Sequence, residues 1–274
     1  MAGVSETALG AAEMRAEESR RTDRLFDDPY AAAFVEAAPP LFPDIPSIAD
    51  DAALAALIEA SITGVAIRTR FYDDYLSAAS AAGCSQVVLL AAGLDTRAFR
   101  LGWPAGVRVF EIDLPGLFAF KERVLAGLGA IPRCERTVVA VDLREDWPTR
   151  LIAAGFEPSV PTAWAAEGLL AYLSNDDAVR LLSAVGDLST SVSQLSFEYD
   201  DFADNSALSE VRAMQGMQEV ASMWHGGLSQ NPVEWLREHD WHVRTSDLAT
   251  LAATYGRPLS GNPAGGYLIA TRES

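Results

Sequence analysis

Six short apolar runs follow one another from Val87 onward, most of them roughly 25–35 residues apart with helix-like segments between them. A seventh run begins in EHDWHV, which has the pattern of a helix that ends and leads into a strand. This spacing is what βαβ units require, and continuous apolar runs suit parallel strands buried on both faces. The sequence therefore predicts an α/β fold with a mostly parallel, seven-stranded sheet, whose other strands are VVLLAAG, VRVFEID, RTVVAVD, TAWAAEG, VSQLSFEYD and GYLIATRE.

The residues before Gln86 have a helical pattern instead, in Ala-rich segments at about 5–37 and 48–81. The stretch APPLFPDIPS separates them, and its four prolines break any helix. We therefore expect an N-terminal helical cap over 1–85 that packs on an α/β domain over 86–274. The long interval at about 201–230 predicts a helical insertion after a strand's carboxyl end, where lids occur, and an ordinary helix-and-loop excursion is an equal alternative.

Charge and composition exclude several classes of partner. The chain has 274 residues, and 21 basic against 38 acidic residues give a formal net charge of -17, which repels phosphate backbones and anionic lipid surfaces. No apolar run approaches the roughly 20 residues of a membrane-spanning helix, and the first residues lack a secretory pattern. Two cysteines are too few for a disulfide framework and are not spaced for zinc. We expect a cytoplasmic protein without a nucleic-acid, membrane or metal site.

The first strand ends in the turn of VVLLAAGLDTRAFRL, which restarts as a helix. A ligand lies beyond the carboxyl end of such a strand in nucleotide-binding α/β domains. The dinucleotide fingerprint needs three glycines for close approach to a pyrophosphate, but this turn offers Ala91, Ala92 and Gly93. The turn therefore favours a nucleoside ligand that lacks a pyrophosphate.

Acidic residues follow four consecutive predicted strands. Asp95 follows the first, Glu111 and Asp113 end the second, Asp142 ends the third and Glu167 follows the fourth. The carboxyl ends of parallel strands share one edge, so these acids converge on one crevice, although a helix N-cap role is an alternative for Asp113 and Asp142. S-adenosylmethionine suits such a crevice, because it has a ribose diol, two cationic groups and a carboxylate that needs an arginine.

Five ordered stretches carry a family resemblance: SITGVAIRTRFYDDYL, VVLLAAGLDTRAFRL, VFEIDLP, VVAVDLREDW and AAEGLLAYL. The chain resembles the leucine carboxyl methyltransferase-like family of S-adenosylmethionine-dependent enzymes, which includes bacterial O-methyltransferases of polyketide and other natural-product pathways. With ALGAAEMRAEESRRTDRLFDDPYA the resemblance covers nearly the whole chain. It implies a class I methyltransferase-type, Rossmann-like fold and S-adenosyl-L-methionine as the cofactor.

For the methionine end of the cofactor, the resemblance implies that Arg68 pairs with the carboxylate, with help from Arg15. It implies that the turn from Ala91 through Gly93 to Asp95 wraps the methionine moiety and that Glu167 lies near the ammonium group. From the residues alone, Arg68 could instead be solvated on its helix, and Asp95 could merely cap the helix that follows it.

For the nucleoside end, the resemblance implies that Glu111 and Asp113 face the ribose. Asp142 and the Leu143 amide would recognise the adenine edge. The chain departs from the family at Ala91-Ala92-Gly93, where many members have Gly-Ala-Gly, and this departure puts cofactor affinity in doubt.

The candidate catalytic residues are Glu167, Tyr172 and His225, and the histidines decide between two acceptor chemistries. A phenol must lose its proton, which a histidine with an acidic partner often accepts, whereas a carboxylate is already ionised. His239 and His242 lie in EHDWHV and are expected to be structural; His225 is a possible base or a packing residue. The weak case for a base favours a carboxylate acceptor, with a phenolic or enolic hydroxyl as the alternative.

The acceptor pocket is expected between the cap and the insertion, where apolar and aromatic residues are frequent. We therefore predict an O-methyltransferase for a small, natural-product-like or polyketide-like molecule, and the sequence leaves its oligomeric state open. A non-catalytic S-adenosylmethionine-binding regulator and, more distantly, a NAD-dependent oxidoreductase are the other hypotheses. The candidate pocket residues are Phe34, Phe71, Tyr72, Tyr75, Tyr172, Met214, Met223 and Trp224, most of which could equally be core residues.

Overall fold

The computed structural model describes residues 4–38, 52–199, 224–257, 259 and 265–273. Helices and strands alternate through most of these ranges, as the spacing of the apolar runs predicts. In chain order the elements are α1 (Val4–Arg20), α2 (Ala31–Ala37), α3 (Ala52–Ala81), β1 (Gln86–Leu90), α4 (Arg97–Arg100), β2 (Arg108–Asp113), α5 (Pro115–Gly127), β3 (Glu135–Ala140), α6 (Trp147–Ala153), β4 (Thr162–Ala166), a 3-10 turn (Leu170–Tyr172), α7 (Asn175–Asp187), β5 (Gln194–Tyr199), α8 (Pro232–Glu238), β6 (Trp241–Asp247), α9 (Leu248–Thr254) and β7 (Gly266–Arg272).

The strands form one seven-stranded sheet in the order β3-β2-β1-β4-β5-β7-β6. The five strands from β3 to β5 in this order are parallel, while β7 runs antiparallel to both β5 and β6. This confirms the predicted α/β class and the mostly parallel sheet. The strand order reverses at β1 and β4, so a crevice opens at their carboxyl ends, as doubly wound sheets require.

Both faces of the central strands are covered by helices. All five residues of β1 and of β4 are buried, which explains their unbroken apolar sequences. On one face Val88 and Trp164 pack with residues of α6, α7 and α8. On the other face Val87 and Leu89 pack with residues of α3 and α5. Each large apolar side chain buried in this way stabilises the fold by about 1.5–3 kcal/mol.

The N-terminal helices share the second of these cores. Leu9 of α1, Phe34 of α2 and Ile67 of α3 belong to the same apolar cluster as the sheet residue Val87. The helix α1 also contacts α2 and α3, so the N-terminal region forms a packed layer on the sheet. The division into a cap over 1–85 and a domain over 86–274 remains a prediction. Among the described helices, none combines the length and apolarity needed to cross a membrane.

Several helices begin at a residue whose side-chain oxygen accepts hydrogen bonds from backbone N–H groups of the first turn, which have no carbonyl partner within the helix. Asp146 caps α6, Ser174 caps α7, Asn231 caps α8 and Asp247 caps α9, each by accepting hydrogen bonds from backbone N–H groups. Such caps are worth about 1 kcal/mol each. They fix the points at which the chain leaves each strand-end loop, and therefore the shape of the crevice.

The predicted insertion at about 201–230 lies mostly outside the described residues, because the description stops at 199 and resumes at 224. Met214 and Met223 fall in that interval. The segment that follows it is a loop, and the backbone N–H groups of His225 and Gly227 donate to the carbonyls of Ala171 and Leu173 at 2.8 and 3.0 Å. These bonds place the loop beside the 3-10 turn at the end of β4.

Candidate active site

A cavity of about 680 Å³ lies at the carboxyl ends of the parallel strands. Its walls come from α1, the β1–α4 turn, the end of β2, the β3–α6 loop, the β4–α7 segment and the loop at 224–225. This volume is typical of sites that enclose a small organic ligand or cofactor. The cavity therefore occupies the place that strand topology predicts for a ligand.

The structure brings most of the predicted site residues to this one cavity. The predicted residues among its lining are Arg15, Arg68, Ala91, Gly93, Asp95, Asp113, Asp142, Leu143, Glu167, Tyr172, Trp224 and His225. Acids that are far apart in sequence thus share one cleft, as the strand-end argument requires. Their contact with a cofactor remains a proposal.

Glu111 is the exception, and the structure corrects its predicted place at the ribose. Its side chain is fully buried, and its carboxylate accepts hydrogen bonds from Lys121 Nζ and Arg136 Nη2, both at 2.7 Å. Glu111 lies two residues before the end of β2, roughly 6.6 Å below the sheet edge. There α5, which carries Lys121, covers it. Glu111 therefore belongs to a buried ion cluster with Lys121 and Arg136, and this cluster fixes α5 and β3 on β2.

The β1–α4 turn is held to the end of β2 by a carboxylate. The backbone N–H of Gly93 donates to Asp113 Oδ2 at 2.6 Å, and the Leu114 N–H donates to Oδ1 at 2.6 Å. Burial raises the pKa of Asp113 above its ordinary range, against the effect of these two donors. Both Ala91 (φ 53°) and Gly93 (φ 49°) have left-handed backbone conformations. The conformation at Ala91 is the one that favours glycine.

A buried arginine organises the carboxylates beside the β1–α4 turn. The guanidinium of Arg97, which is 3% exposed, binds Asp73 at 2.7 Å, Glu167 at 2.7 Å and also Asp95. Burial alone would raise the pKa of Asp95, but the charges of Arg97, Lys121 and Arg100 together outweigh it and lower that pKa. Asp95 also accepts the Arg97 N–H at 2.6 Å and lines the cavity, whereas the N-cap residue of α4 is Thr96.

Glu167 lies between two arginines. Arg68 Nε approaches its Oε1 at 3.0 Å, and Arg97 Nη1 approaches its Oε2 at 2.7 Å. Burial opposes ionisation, but Arg97 and Arg68 together lower the pKa of Glu167. A carboxylate held in this way is a poor proton acceptor, so the geometry favours an orienting role for Glu167.

Arg68 and Arg15 reach the cavity from the helical layer. The Arg68 side chain is 26% exposed and borders the cavity, beside Gly168, where an added Cβ would lie 3.5 Å from Arg68 Nη1. Arg15 pairs with Asp28 at 2.9 Å and donates to the Leu94 carbonyl at 2.7 Å, which ties α1 to the β1–α4 turn. Arg68 is therefore not a solvated surface residue.

In the β3–α6 loop, Asp142 and Leu143 line the cavity. Asp142 accepts hydrogen bonds from the backbone and the guanidinium of Arg144, and these bonds lower its pKa. Asp146 caps α6 instead of Asp142. The N-cap alternative for Asp142 is therefore wrong, and its side chain stays at the cavity wall.

The opposite side of the cavity is aromatic and contains few ionic bonds. Tyr172 and Trp224 meet edge to face with ring centroids 6.5 Å apart, and the exposed His225 lies beside them. Glu198, at the end of β5, completes this side. Its two oxygens each accept the Gly168 N–H at 2.9 Å, and burial raises its pKa to about 7.

Sequence reasoning missed Arg97 and Glu198. The strand-end rule that selects Asp95, Asp113, Asp142 and Glu167 also selects Glu198 when it is extended to VSQLSFEYD. Arg97 gives no such local signal, because its acidic partners Asp73 and Glu167 lie 24 and 70 residues away.

Four aromatic residues expected at the acceptor pocket are core residues instead. They are at most 6% exposed, they do not line the cavity, and they pack in the apolar layer between the helices and the sheet. Their apolar character identified them as candidates for either place, and the core was the stated alternative. These residues are Phe34, Phe71, Tyr72 and Tyr75. His239 is structural as predicted, because its ring stacks on Trp235 at 3.8 Å and its Nδ1 contacts the Trp235 carbonyl at 2.7 Å.

Comparison with known proteins identifies the family of this chain. The family model for leucine carboxyl methyltransferase matches residues 8–186, which include the β1–α4 turn and the β4–α7 segment. The chain belongs to the leucine carboxyl methyltransferase family. A protein of Parafrankia sp., provisionally named an S-adenosyl-L-methionine-dependent methyltransferase, is 48% identical over 274 residues, covering 100% of this chain and 88% of the relative.

Solved structures share the fold at low sequence identity. A DUF574-family protein from Streptomyces avermitilis has a TM-score of 0.58 at 15% identity, with 96% of this chain and 97% of that chain covered. Magnesium protoporphyrin IX methyltransferase from Synechocystis, solved with bound SAH, has a TM-score of 0.51 at 11% identity, with 88% and 93% covered. The chain is thus an S-adenosyl-L-methionine-dependent methyltransferase with a Rossmann-like sheet.

The donor set of the cavity fits this cofactor. Arg68 suits a carboxylate, whereas Asp113, Asp142 and Glu167 suit hydroxyl, amino and ammonium groups. The turn at Ala91–Gly93 has no pyrophosphate fingerprint, which agrees with a nucleoside that ends in methionine.

Proposed function

We propose that this methyltransferase transfers its methyl group to an oxygen of a small-molecule acceptor, and that the preferred acceptor is a carboxylate. The proposal rests on the surroundings of the His225 imidazole. In the described ranges it is the one histidine at the cavity, and no carboxylate there lies in hydrogen-bonding contact with its imidazole. A histidine that takes the proton of a phenol is often oriented by an acidic partner, and His225 has none in the described ranges. A carboxylate needs no base.

The cofactor is held by groups from four strand ends and from α3. Arg68 binds the methionine carboxylate, and the backbone at Ala91–Gly93, with Asp95, surrounds the methionine chain. Glu167, kept ionised by its two arginines, attracts the ammonium group. These assignments rest on the placement of all these residues around one cavity.

The nucleoside end of the cofactor meets the β2 and β3 strand ends. Asp113 accepts hydrogen bonds from the ribose hydroxyls, while Asp142 and the Leu143 amide recognise the adenine edge. All three residues line the same wall of the cavity. Asp113 uses its remaining acceptor capacity for this role, because each of its oxygens already accepts one backbone N–H.

When bound, S-adenosylmethionine supplies an electrophilic methyl group on a sulfonium. The protein mainly aligns the acceptor and excludes water from it. Tyr172 and Trp224 offer an apolar wall for the acceptor. A cavity of about 680 Å³ that must also hold the cofactor suits a small aromatic or polyketide-like acid better than a folded protein tail.

A second candidate is methylation of a phenolic or enolic hydroxyl. Glu198 favours it, because a carboxylate at the cavity with a pKa of about 7 is suited to accept a proton near neutral pH. In this case the acceptor hydroxyl must lose its proton, and the protein supplies the group that accepts it.

Two matched acceptors test the proposal, 2-naphthoate and 2-naphthol, each incubated with methyl-labelled cofactor. We expect label in a product from 2-naphthoate, and mild alkali should release it as methanol because the product is an ester. Label that appears only in a product of 2-naphthol, and that resists alkali, would show that the preferred acceptor is a hydroxyl and not a carboxylate.

His225→Ala provides the matched variant. Ester formation should change by less than about threefold, because a carboxylate donates no proton. Normal binding of S-adenosylhomocysteine without transfer to either acceptor, or to any metabolite of the host, would favour the non-catalytic regulator. A mass shift of one methylene in the host's metabolites would exclude that regulator and identify the natural acceptor.

A further inference from the structure

Glu198 has no arginine at hydrogen-bond distance, which distinguishes it from Asp95, Asp142 and Glu167 among the carboxylates of the cavity. Asp95 and Glu167 each bind an arginine at hydrogen-bond distance, whereas the guanidinium nearest to Glu198 is that of Arg68, at 4.0 Å. Its one close donor in the described ranges is the Gly168 N–H at 2.9 Å. The Glu198 side chain is 26% exposed, and this exposure is toward the cavity.

The groups around Glu198 explain why its pKa is raised. Arg68 and Tyr72 face it from α3, Glu167 faces it from the end of β4, and Tyr267 is its register partner on β7. Burial is the largest effect and raises the pKa of Glu198; Arg68 lowers it, and the Glu167 charge raises it again, to about 7. Burial also raises the pKa of Tyr72 well above its ordinary value, so its hydroxyl stays neutral. His225 borders the same cavity from the loop at 224–225.

The ionised carboxylate of an acceptor would be disfavoured beside both an ionised Glu198 and an ionised Glu167. A neutral Glu198 removes one of these repulsions and supplies an O–H donor. One of its oxygens still accepts the Gly168 N–H, so the other is available to a ligand. Hydrogen bonds from an acid O–H to a carboxylate are short and strong.

We propose that Glu198 is the residue that selects a carboxylate acceptor: its protonated carboxyl donates a hydrogen bond to one acceptor oxygen and leaves the other oxygen to attack the methyl group. The inference rests on the proposed carboxyl methylation. In the transfer, the methyl–sulfur bond breaks with its electron pair left on sulfur, and a methyl–oxygen bond forms. No proton leaves the acceptor, and Glu198 keeps its own.

The opposite role gives the opposite pH dependence. If the acceptor were a hydroxyl, the ionised form of Glu198 would take its proton, and turnover would rise as pH increases through the pKa of Glu198. If the acceptor is a carboxylate, turnover falls over the same range, because the donor is lost. The direction of the alkaline limb therefore separates the two roles.

The test measures kcat/KM for 2-naphthoate from pH 5 to 9 in wild type and in Glu198→Gln, Glu198→Ala and Glu157→Gln. Wild type should lose about tenfold per pH unit above the pKa, as expected for one required proton. Glu198→Gln retains an N–H donor and does not titrate, so its alkaline limb should be absent. Glu198→Ala should be at least about tenfold slower than Glu198→Gln at pH 6, so that the amide rescues the function. Glu157→Gln, at an exposed ion pair with Arg108, should keep the wild-type profile.

Calorimetry supplies a readout other than turnover. Binding of 2-naphthoate to the protein loaded with S-adenosylhomocysteine at pH 8 should take up protons in wild type and not in Glu198→Gln. S-adenosylhomocysteine should bind both proteins with affinities within about threefold. A loss of more than about tenfold in that affinity would place Glu198 on the cofactor and overturn the inference.

The outcomes separate the two proposals. Ester formation with the same alkaline limb in wild type and Glu198→Gln would overturn the role of Glu198 and leave carboxyl methylation standing. Ether formation from 2-naphthol, rising with pH and lost in Glu198→Gln, would overturn both. No binding of 2-naphthoate at pH 6 or pH 8, with normal binding of S-adenosylhomocysteine, would also overturn the role of Glu198.

Discussion

The side of the cavity proposed for the cofactor and the side proposed for the acceptor differ in how far their polar groups are paired. On the cofactor side, Arg97 binds three carboxylates, Asp113 accepts two backbone N–H groups and Asp142 is held by Arg144. On the acceptor side, within the described ranges, no hydrogen bond reaches the Tyr172 hydroxyl or the His225 imidazole. Glu198 has a single N–H donor there.

This difference separates a fixed ligand site from an adaptable one. Side chains held by several partners lose little freedom when a ligand binds, so a site built from them is preorganised. A cofactor that never changes suits such a site. The sparsely bonded side can accept different shapes, which agrees with a fold that hosts many substrates through variation outside its cofactor site.

The largest expected effect comes from breaking the fixed side at Arg97. Replacing Arg97 by methionine leaves the buried Asp73 and the partly buried Asp95 and Glu167 without their shared cation, which should lower the free energy of unfolding by about 3–5 kcal/mol. Urea denaturation measures it. Arg180→Met is the matched control, because Arg180 is 67% exposed in its pair with Asp177 and exposed pairs contribute about 0–1 kcal/mol. Equal losses of unfolding free energy in the two variants would show that the Arg97 cluster contributes no more stability than an exposed ion pair.

The next effect belongs to the acceptor side and depends on pH. The pKa of Glu198 is raised to about 7 from an ordinary 4.5, so the folded protein binds a proton there that the unfolded chain releases. The associated stability is complete below about pH 4.5 and is lost as pH rises through 7, up to about 3 kcal/mol.

Glu198→Gln removes this loss, because the amide is neutral at every pH. The unliganded variant should therefore be more stable than wild type at pH 8, whereas at pH 4.5 the two should agree. Urea unfolding at the two pH values measures the difference. A constant offset at both pH values would mean that the raised pKa of Glu198 does not govern stability.

Local sequence predicted the cofactor side better than the acceptor side, for a topological reason. A residue at the end of a parallel strand lies at the sheet edge whatever its neighbours are, so Asp113, Asp142 and Glu167 were found from strand pattern alone. Glu111 failed this rule because the helix α5 covers its position, and a strand pattern does not show how far a covering helix extends. The burial of Arg97 depends on acids up to 70 residues away, which no local pattern contains.

The aromatic residues of α3 show the same limit. The sequence offered Phe71, Tyr72 and Tyr75 as aromatic residues of either the pocket or the core, because both a cavity and a sheet require apolar side chains. In the structure they pack on the sheet: Phe71 stacks on Tyr267 at 4.5 Å, and the Tyr75 hydroxyl donates to the Trp164 carbonyl at 3.0 Å. The acceptor side therefore depends on the 3-10 turn and the loop at 224–225, whose conformations come from tertiary contacts.

A smaller effect should appear at the nucleoside end. Asp142→Ala should weaken binding of S-adenosylhomocysteine by about 1–3 kcal/mol, because a hydrogen bond to the adenine amino group is lost. Isothermal titration calorimetry measures it. Asp146→Ala is the control four residues away: it removes the α6 cap and about 1 kcal/mol of stability but touches no cofactor group. Unchanged affinity in Asp142→Ala would remove Asp142 from the proposed site.

The smallest effect tests whether the fixed side stores strain at Ala91. An L-residue in the left-handed region costs about 1–2 kcal/mol, and Ala91 has φ 53° there. Glycine avoids this cost but adds about 0.5–1 kcal/mol of unfolded-chain entropy. Ala91→Gly should therefore stabilise the protein by about 0.5–1 kcal/mol in urea unfolding. Ala92→Gly, at a buried residue without a positive φ, should destabilise it instead. If both variants are destabilised, then the turn at Ala91 is unstrained, and the chain's departure from Gly-Ala-Gly has no energetic cost.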